Sequence, residues 1–218
     1  VALVGGIQAR YLNLTNSDAD LVASLTGGDE VWYRHTLDMG SIIAGGHAGS
    51  PLTGIDYTQG GYDAVIAHCA SIPRAKNLAV ITFAPTWMTG DASLGGHRIP
   101  QTSALQDDWA AGAAAVVAHF GSQFDAVEIW NEPNHDPFNK TPTMATLRPF
   151  MRKAIIAIRA ANPDLIIMPG GPASARSRAS AANPKWDGQS ASNPGPGDLG
   201  ISPATYLDGL YGTGGIVA

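Results

Sequence analysis

The stretch EIWNEPNHD at 128–136 carries two carboxylates, Glu128 and Glu132, and sets the second between an Asn and a Pro. A carboxyl group at the end of an apolar run can act as a general acid towards a leaving oxygen and then as a base towards water. It can equally be one surface carboxylate in a proline-bounded turn. Strand alternation places Glu128, Trp130 and Glu132 on one face and Val127 and Ile129 on the other. Along an extended chain the two carboxylates stand about 13 Å apart, at roughly 3.3 Å per residue. Two carboxyl groups that act jointly on one bond lie roughly 5 to 9.5 Å apart. Glu128 and Glu132 are therefore not an acid and its partner, and a second carboxylate must come from elsewhere.

The elements that would position Glu132 follow from periodicity. Strands are expected at LVGGIQA near the start, EVWYRHTL (30–37), LAVITFA (78–84), AVEIW (126–130) and LIIMP (165–169). Helical patterns separate them. The first opens at Ser17 with a capping residue and early acids, and the second runs from Tyr62 to about Ala75. The third places Trp109, Ala113, Val116, Val117 and Phe120 at helical spacing. The fourth has a stripe of Leu147, Phe150, Met151, Ala154, Ile155 and Ile158 that stops at Asn162-Pro163. A fifth starts at Pro203 and runs to about Tyr211. Strand then helix, five times over, predicts a parallel α/β sheet of βα units.

Connection lengths place a site. The helix-to-strand links are short, whereas the strand-to-helix links at about 38–61, 88–105 and 170–202 are long and rich in Gly, Pro and Ser. The link at 131–143 is moderate. Elaboration is thus concentrated at the carboxyl ends of the strands, where parallel α/β folds bind ligands. Within the longest link, the segment 173–200 reads either as a mobile insertion or, through Trp186, as a ligand-facing loop.

Composition narrows the function. With 218 residues, 26 Gly, 15 Pro and a net charge of −5, the chain can build one large domain and shows no basic patch for nucleic acid or an anionic membrane. No apolar run reaches a membrane span. The lone Cys69 cannot form an internal disulfide and reads as a small core residue. The histidines are scattered, with no HExxH or paired CxxC, so neither a metal nor another cofactor is expected. P-loop, dinucleotide and GxSxG patterns are also missing. The chain opens on Val1 rather than Met, which suggests processing or a partial chain. The compartment stays open, with an extracellular or cell-surface setting favoured.

The string Ile129-Trp130-Asn131-Glu132-Pro133-Asn134 resembles the fourth-strand motif of clan A glycoside hydrolases, family 39 and family 5-like members above all. Val31-Trp32-Tyr33-Arg34 is similar to that clan's second strand, and Phe83-Ala84-Pro85-Thr86-Trp87 to the end of its third. Pro169-Gly170-Gly171-Pro172 resembles the fifth-strand exit, and Tyr206 to Tyr211 the helix after it. The resemblance implies a (β/α)8 TIM barrel, of which strands 1–5 and their helices are present. It implies a retaining hydrolase of glycosidic bonds in an oligo- or polysaccharide, with Glu132 as general acid/base and Asn131 binding the sugar 2-hydroxyl. Trp87 and Trp130 become sugar platforms or plain core. Arg34 lies near the nucleophile or in a buried ion pair, and His35 lines the rim or is structural. Asn134, with His135 and Asp136, contacts substrate or caps the next turn.

One departure stands out. The clan's nucleophile is a Glu on strand seven, and no Glu follows Glu132 in this chain. The single domain over 1–218 is expected to be incomplete at its C-terminus, with the nucleophile beyond Ala218. The open sheet edge would be covered by a remaining barrel segment or by another protein chain. The alternative is a carbohydrate-binding or structural module, in a cell-surface or virion assembly, that kept the fold without the chemistry.

Overall fold

The computed structural model describes residues 5–8, 30–94, 96–135, 138–140, 142–172, 176–177, 199–212 and 215–216. Five strands form one sheet in the order of the chain: β1 (Gly5–Gln8), β2 (Val31–Asp38), β3 (Ala75–Thr82), β4 (Ala126–Ile129) and β5 (Ile166–Pro169). Every neighbouring pair is parallel. The helices after them are α1 (Met39–Ile42), α2 (Tyr62–Ser71), α3 (Thr86–Thr89), α4 (Ser103–Phe120), α5 (Met144–Ala161) and α6 (Pro203–Tyr211). Two short parallel strands, β6 (Arg176–Ser177) and β7 (Leu199–Gly200), sit in the longest connection. The helix expected from Ser17 and the position of Trp186 lie outside the described residues.

Burial alternates along β2. Val31, Tyr33, His35 and Leu37 are buried, while Trp32, Arg34, Thr36 and Asp38 face the more open side. The main core forms where Ile81, Val127 and Ile129 meet Trp109, Val116 and Val117 of α4 and Leu147, Phe150 and Ala154 of α5. Side-chain caps start these helices. Thr102 accepts from the Leu105 amide and Thr143 from the Thr146 amide, while Ser202 caps α6 ahead of Pro203. On the open side Ile166 of β5 remains 53 % exposed, so this sheet face is only partly covered.

Three boundaries that differ from the sequence expectation have an identifiable physical reason. Helix α2 stops at Ser71 rather than near Ala75, because Pro73 forces Ile72 into extended geometry and supplies no amide proton. The chain then turns at Arg74 (φ +70°) and β3 starts at Ala75, three residues earlier than its apolar run, since Ala75, Lys76 and Asn77 pair with Val31, Trp32 and Tyr33. Strand β4 ends at Ile129, not Trp130, for a reason that belongs to the site.

Candidate active site

The strand ends are strained where they meet the loops. Phe83 after β3 has φ +62°, and Trp130 and Glu132 after β4 have φ +68° and +46°. Left-handed geometry costs a non-glycine residue roughly 1–2 kcal/mol, and such strain persists where the surroundings over-determine it. Two buried indoles supply part of that constraint. Trp109 donates to the Phe83 carbonyl at 2.7 Å, and Trp130 donates to the Phe138 carbonyl at 2.8 Å. The Asn131 amide donates to Thr82 Oγ1 at 3.2 Å. Gly170 completes the support: a Cβ there would come within 2.5 Å of the Trp130 carbonyl oxygen and 2.7 Å of that of Ile129. Its own carbonyl accepts from Tyr206 Oη at 2.7 Å, which ties α6 to the β5 exit.

The left-handed step at Trp130 reverses what alternation predicts. Trp130 turns away from Glu128 into the helix layer and is fully buried, with ring centroids 6.0 Å from Trp109 and 5.6 Å from Phe150. A sugar platform must be exposed to sugar, so Trp130 is core. The separation of about 13 Å, at roughly 3.3 Å per residue, presupposed an extended chain through Glu132 and does not apply to this turn.

Glu128 and Glu132 instead line one cleft of about 890 Å³ at the carboxyl ends of the strands. Arg34, Thr36, Tyr62, Thr82, Phe83 and Asn131 share that lining. Arg34 Nε donates to Glu128 Oε2 at 2.9 Å, and Arg34 Nη2 donates to Asn131 Oδ1 at 3.0 Å. Glu128 Oε1 accepts the Gly171 amide at 3.1 Å. Both Glu128 oxygens are therefore engaged, and that, rather than distance along the strand, sets it apart from Glu132. Glu132 keeps a 37 % exposed side chain in the cleft, with Oε2 3.3 Å from His135 Nδ1. Such a carboxyl can exchange a proton with a bound ligand.

Of the residues singled out in the sequence, Arg34, Asn131 and Glu132 meet in this cleft. Trp87 does not line it and packs half-buried against the core. Asn134 is fully buried and tied to the chain at Ile201: its Nδ2 donates to the Ile201 carbonyl, and the Ile201 amide donates back to the Asn134 carbonyl, both at 2.8 Å. Asn139 works in the same way, donating to the Pro133 carbonyl at 2.8 Å and accepting the Ile99 amide at 3.1 Å. Sequence reading missed Phe83, Tyr62 and the engagement of Glu128. The signal for Glu128 was a carboxylate on an otherwise apolar strand, one strand removed from an arginine on β2.

His35 borders the cleft but is 3 % exposed, with Nδ1 4.0 Å from Cys69 Sγ on α2. Burial pulls its pKa from 6.5 down to about 4, opposed in part by the Asn77 side chain. Burial likewise pushes the Cys69 thiol up to about 11, which keeps it an uncharged core group. Between pH 6.5 and 4 the unfolded chain protonates His35 and the folded chain does not. Its contribution is whole above pH 6.5 and is lost as pH falls towards 4, by about 3 kcal/mol. Urea unfolding of the wild type and His35→Leu at pH 7 and pH 4.5 checks this. The variant should lose markedly less stability over that interval, and parallel losses would remove His35 as the cause. Among the described residues there is no cluster of three metal-ligating side chains, and no helix is long and apolar enough to cross a membrane.

No protein-family model matches the sequence, and no curated protein matches it. Solved structures do. A family 39 glycoside hydrolase from Bacteroides cellulosilyticus WH2 aligns at 17 % identity and TM-score 0.53, over 76 % of this chain and 31 % of that one. A monomeric beta-xylosidase from Caulobacter crescentus CB15 aligns at 20 % and 0.52, over 82 % and 37 %. The catalytic domain of the GH30 xylanase C from Talaromyces cellulolyticus aligns at 14 % and 0.53, over 85 % and 47 %. The chain thus spans between about a third and a half of the length of these structures. At such identities the likeness concerns the fold alone: a parallel sheet whose strands alternate with helices, as in part of the TIM barrel of these enzymes.

Proposed function

We propose that residues 1–218 form part of a single glycosidase-like barrel domain that hydrolyses a glycosidic bond in an oligo- or polysaccharide with retention of configuration. Glu132 is the general acid/base in this reading. It protonates the departing oxygen while a second carboxylate attacks the anomeric carbon, then takes a proton from the water that releases the sugar. That second carboxylate is a Glu expected beyond Ala218. Asn131 binds the sugar beside the reacting carbon, and Arg34 positions Asn131.

The observation that carries the reading is the placement of Glu132. It is the cleft carboxylate with oxygen free for a ligand, on a strained turn at a strand end, next to an amide that an arginine holds in place. Carbohydrate substrates follow from the kind of enzyme whose fold the chain shares.

The test is stereochemical. The full-length polypeptide is incubated with aryl xyloside and aryl glucoside, and proton NMR reads the first-formed anomer before mutarotation. Retained configuration, together with loss of turnover in Glu132→Gln, is the expected result. Inverted product, or turnover unchanged by the substitution, would refute the assignment. Sugar binding with no hydrolysis would favour the carbohydrate-binding module instead.

A further inference from the structure

A histidine stands behind the exposed carboxylate of the cleft. His135 Nδ1 lies 3.3 Å from Glu132 Oε2, and the two side chains are 17 % and 37 % exposed. Glu132 is on the cleft lining and His135 is not, so the ring acts on a ligand only through Glu132. Its place is fixed by the turn that carries both residues. The His135 amide donates to the Glu132 carbonyl at 3.0 Å. The His135 carbonyl accepts the amides of Phe138 at 3.1 Å and Asn139 at 2.9 Å. The Asn139 side chain in turn donates to the Pro133 carbonyl at 2.8 Å, which closes the turn from the other side.

The second ring nitrogen decides the tautomer. His135 Nε2 is buried and has no hydrogen-bond partner among the described residues. A buried N–H with nothing to accept it is rare in folded proteins, and an unused acceptor is less so. Both the Nε2–H tautomer and the doubly protonated ring require that orphan N–H. The remaining form carries its proton on Nδ1, which then donates to Glu132 Oε2. Among the described residues no group donates to Oε1. This polarity suits both states of the carboxyl. With Oε2 held as an acceptor, a proton on Glu132 sits on Oε1, the oxygen left for a ligand. Once that proton has gone, the carboxylate still accepts the same Nδ1–H. The opposite tautomer would draw the acid proton into an Oε2–H···Nδ1 bond and leave Oε1 without it.

We propose that His135 is a positioning residue that keeps the transferable proton of Glu132 on Oε1. The proposal rests on the reading of Glu132 as general acid/base. In the first step the proton passes from Oε1 to the departing oxygen. That oxygen takes the electron pair of the broken glycosidic bond, while the second carboxylate bonds to the anomeric carbon. In the second step the oxygen of water replaces that carboxylate and its proton goes to Oε1. Nδ1–H and Oε2 stay in contact throughout, so the imidazole itself exchanges no proton.

Long-range proton–nitrogen NMR of the full-length polypeptide with isotope-labelled histidine reads the tautomer, at a pH where the spectrum shows the neutral ring. The expected form is Nδ1–H, its signal assigned by absence from His135→Asn. An Nε2–H ring overturns the proposal. Kinetics give a second readout. His135→Leu should lower kcat on phenyl β-xyloside by about tenfold, the worth of one hydrogen bond to a charged group. The glycosylation step on a dinitrophenyl glycoside, which needs no acid, should stay within about threefold. His135→Asn, whose Nδ2 can stand where Nδ1 stood, should restore the phenyl xyloside rate to within about threefold of wild type. Equal slowing on both leaving groups in a folded His135→Leu protein, or no rescue by Asn, would mean that the ring serves the turn alone, and overturns the proposal. Should His135→Leu not fold, the wild-type tautomer and the Asn variant decide. An Nδ1–H ring in a protein without turnover counts against the hydrolase reading alone. An Nε2–H ring in a protein that turns over through Glu132 counts against His135 alone.

Discussion

Glu132→Gln should lower kcat by roughly 10²–10⁴ on glycosides whose leaving group needs a proton, the range that a positioned general acid contributes. On a dinitrophenyl glycoside the first step should be far less affected, because that leaving group departs as a stable anion. The second step still needs a base, so a glycosyl-enzyme should accumulate after a burst. Added azide, a nucleophile that needs no deprotonation, should then restore turnover and yield a glycosyl azide. Gln occupies nearly the same volume at φ +46°, and its amide oxygen can still face His135 Nδ1, so melting temperature should stay close to wild type. Equal slowing of good and poor leaving groups would mean that the substitution disturbs the cleft as a whole. Unchanged rates on both would exclude Glu132 from the chemistry.

The second large effect falls on stability. Trp130→Ala removes a fully buried indole that packs against Phe83, Trp109 and Phe150 and holds the Phe138 carbonyl. Deleting a large buried aromatic destabilises by about 3–5 kcal/mol, from lost transfer energy and the cavity left behind. For a domain of this size that corresponds to a fall in Tm of roughly 10 °C. Trp130→Phe keeps most of the packing and loses the indole hydrogen bond, at about 1 kcal/mol. A sugar platform behaves in the opposite way, raising KM with little change in Tm. Thermal unfolding of both variants separates the two, and a Trp130→Ala shift under about 2 °C would exclude the core role.

The contrast between Trp130 and its neighbours shows where sequence reasoning runs out. Alternation is a property of extended backbone, and it held along β2, where Arg34 and Thr36 reach the cleft and Tyr33 and Leu37 are buried. It failed after Ile129 because two left-handed residues interrupt the strand. Around them stand Thr82, Gly170 and the ring of Trp109, which are contributed by β3, the β5 exit and α4. No local window around 128–136 contains them. The anchoring of Asn134 was not legible for a related reason, since its partner Ile201 is 67 residues away. The end of α2, by contrast, was locally legible: Pro73 forbids what the helical pattern of 62–75 otherwise suggests.

The sequence by itself determined the alternation of strands and helices, the parallel order of the sheet and the end of it that carries the cleft. These depend on periodicity and loop length, which are properties of the chain taken in order. It also raised Glu132 as a candidate, through its place at a strand end on the elaborated side of the sheet and the resemblance of the motif around it. Only the tertiary structure decided which neighbours serve that carboxylate. Glu128 proved to be bound by Arg34 and Gly171, Asn131 to be turned by Arg34, and Trp130 to belong to the core. The physical reason is that hydrogen-bond engagement and burial arise between strands, where residues 94 and 97 positions apart come within 3.0 Å.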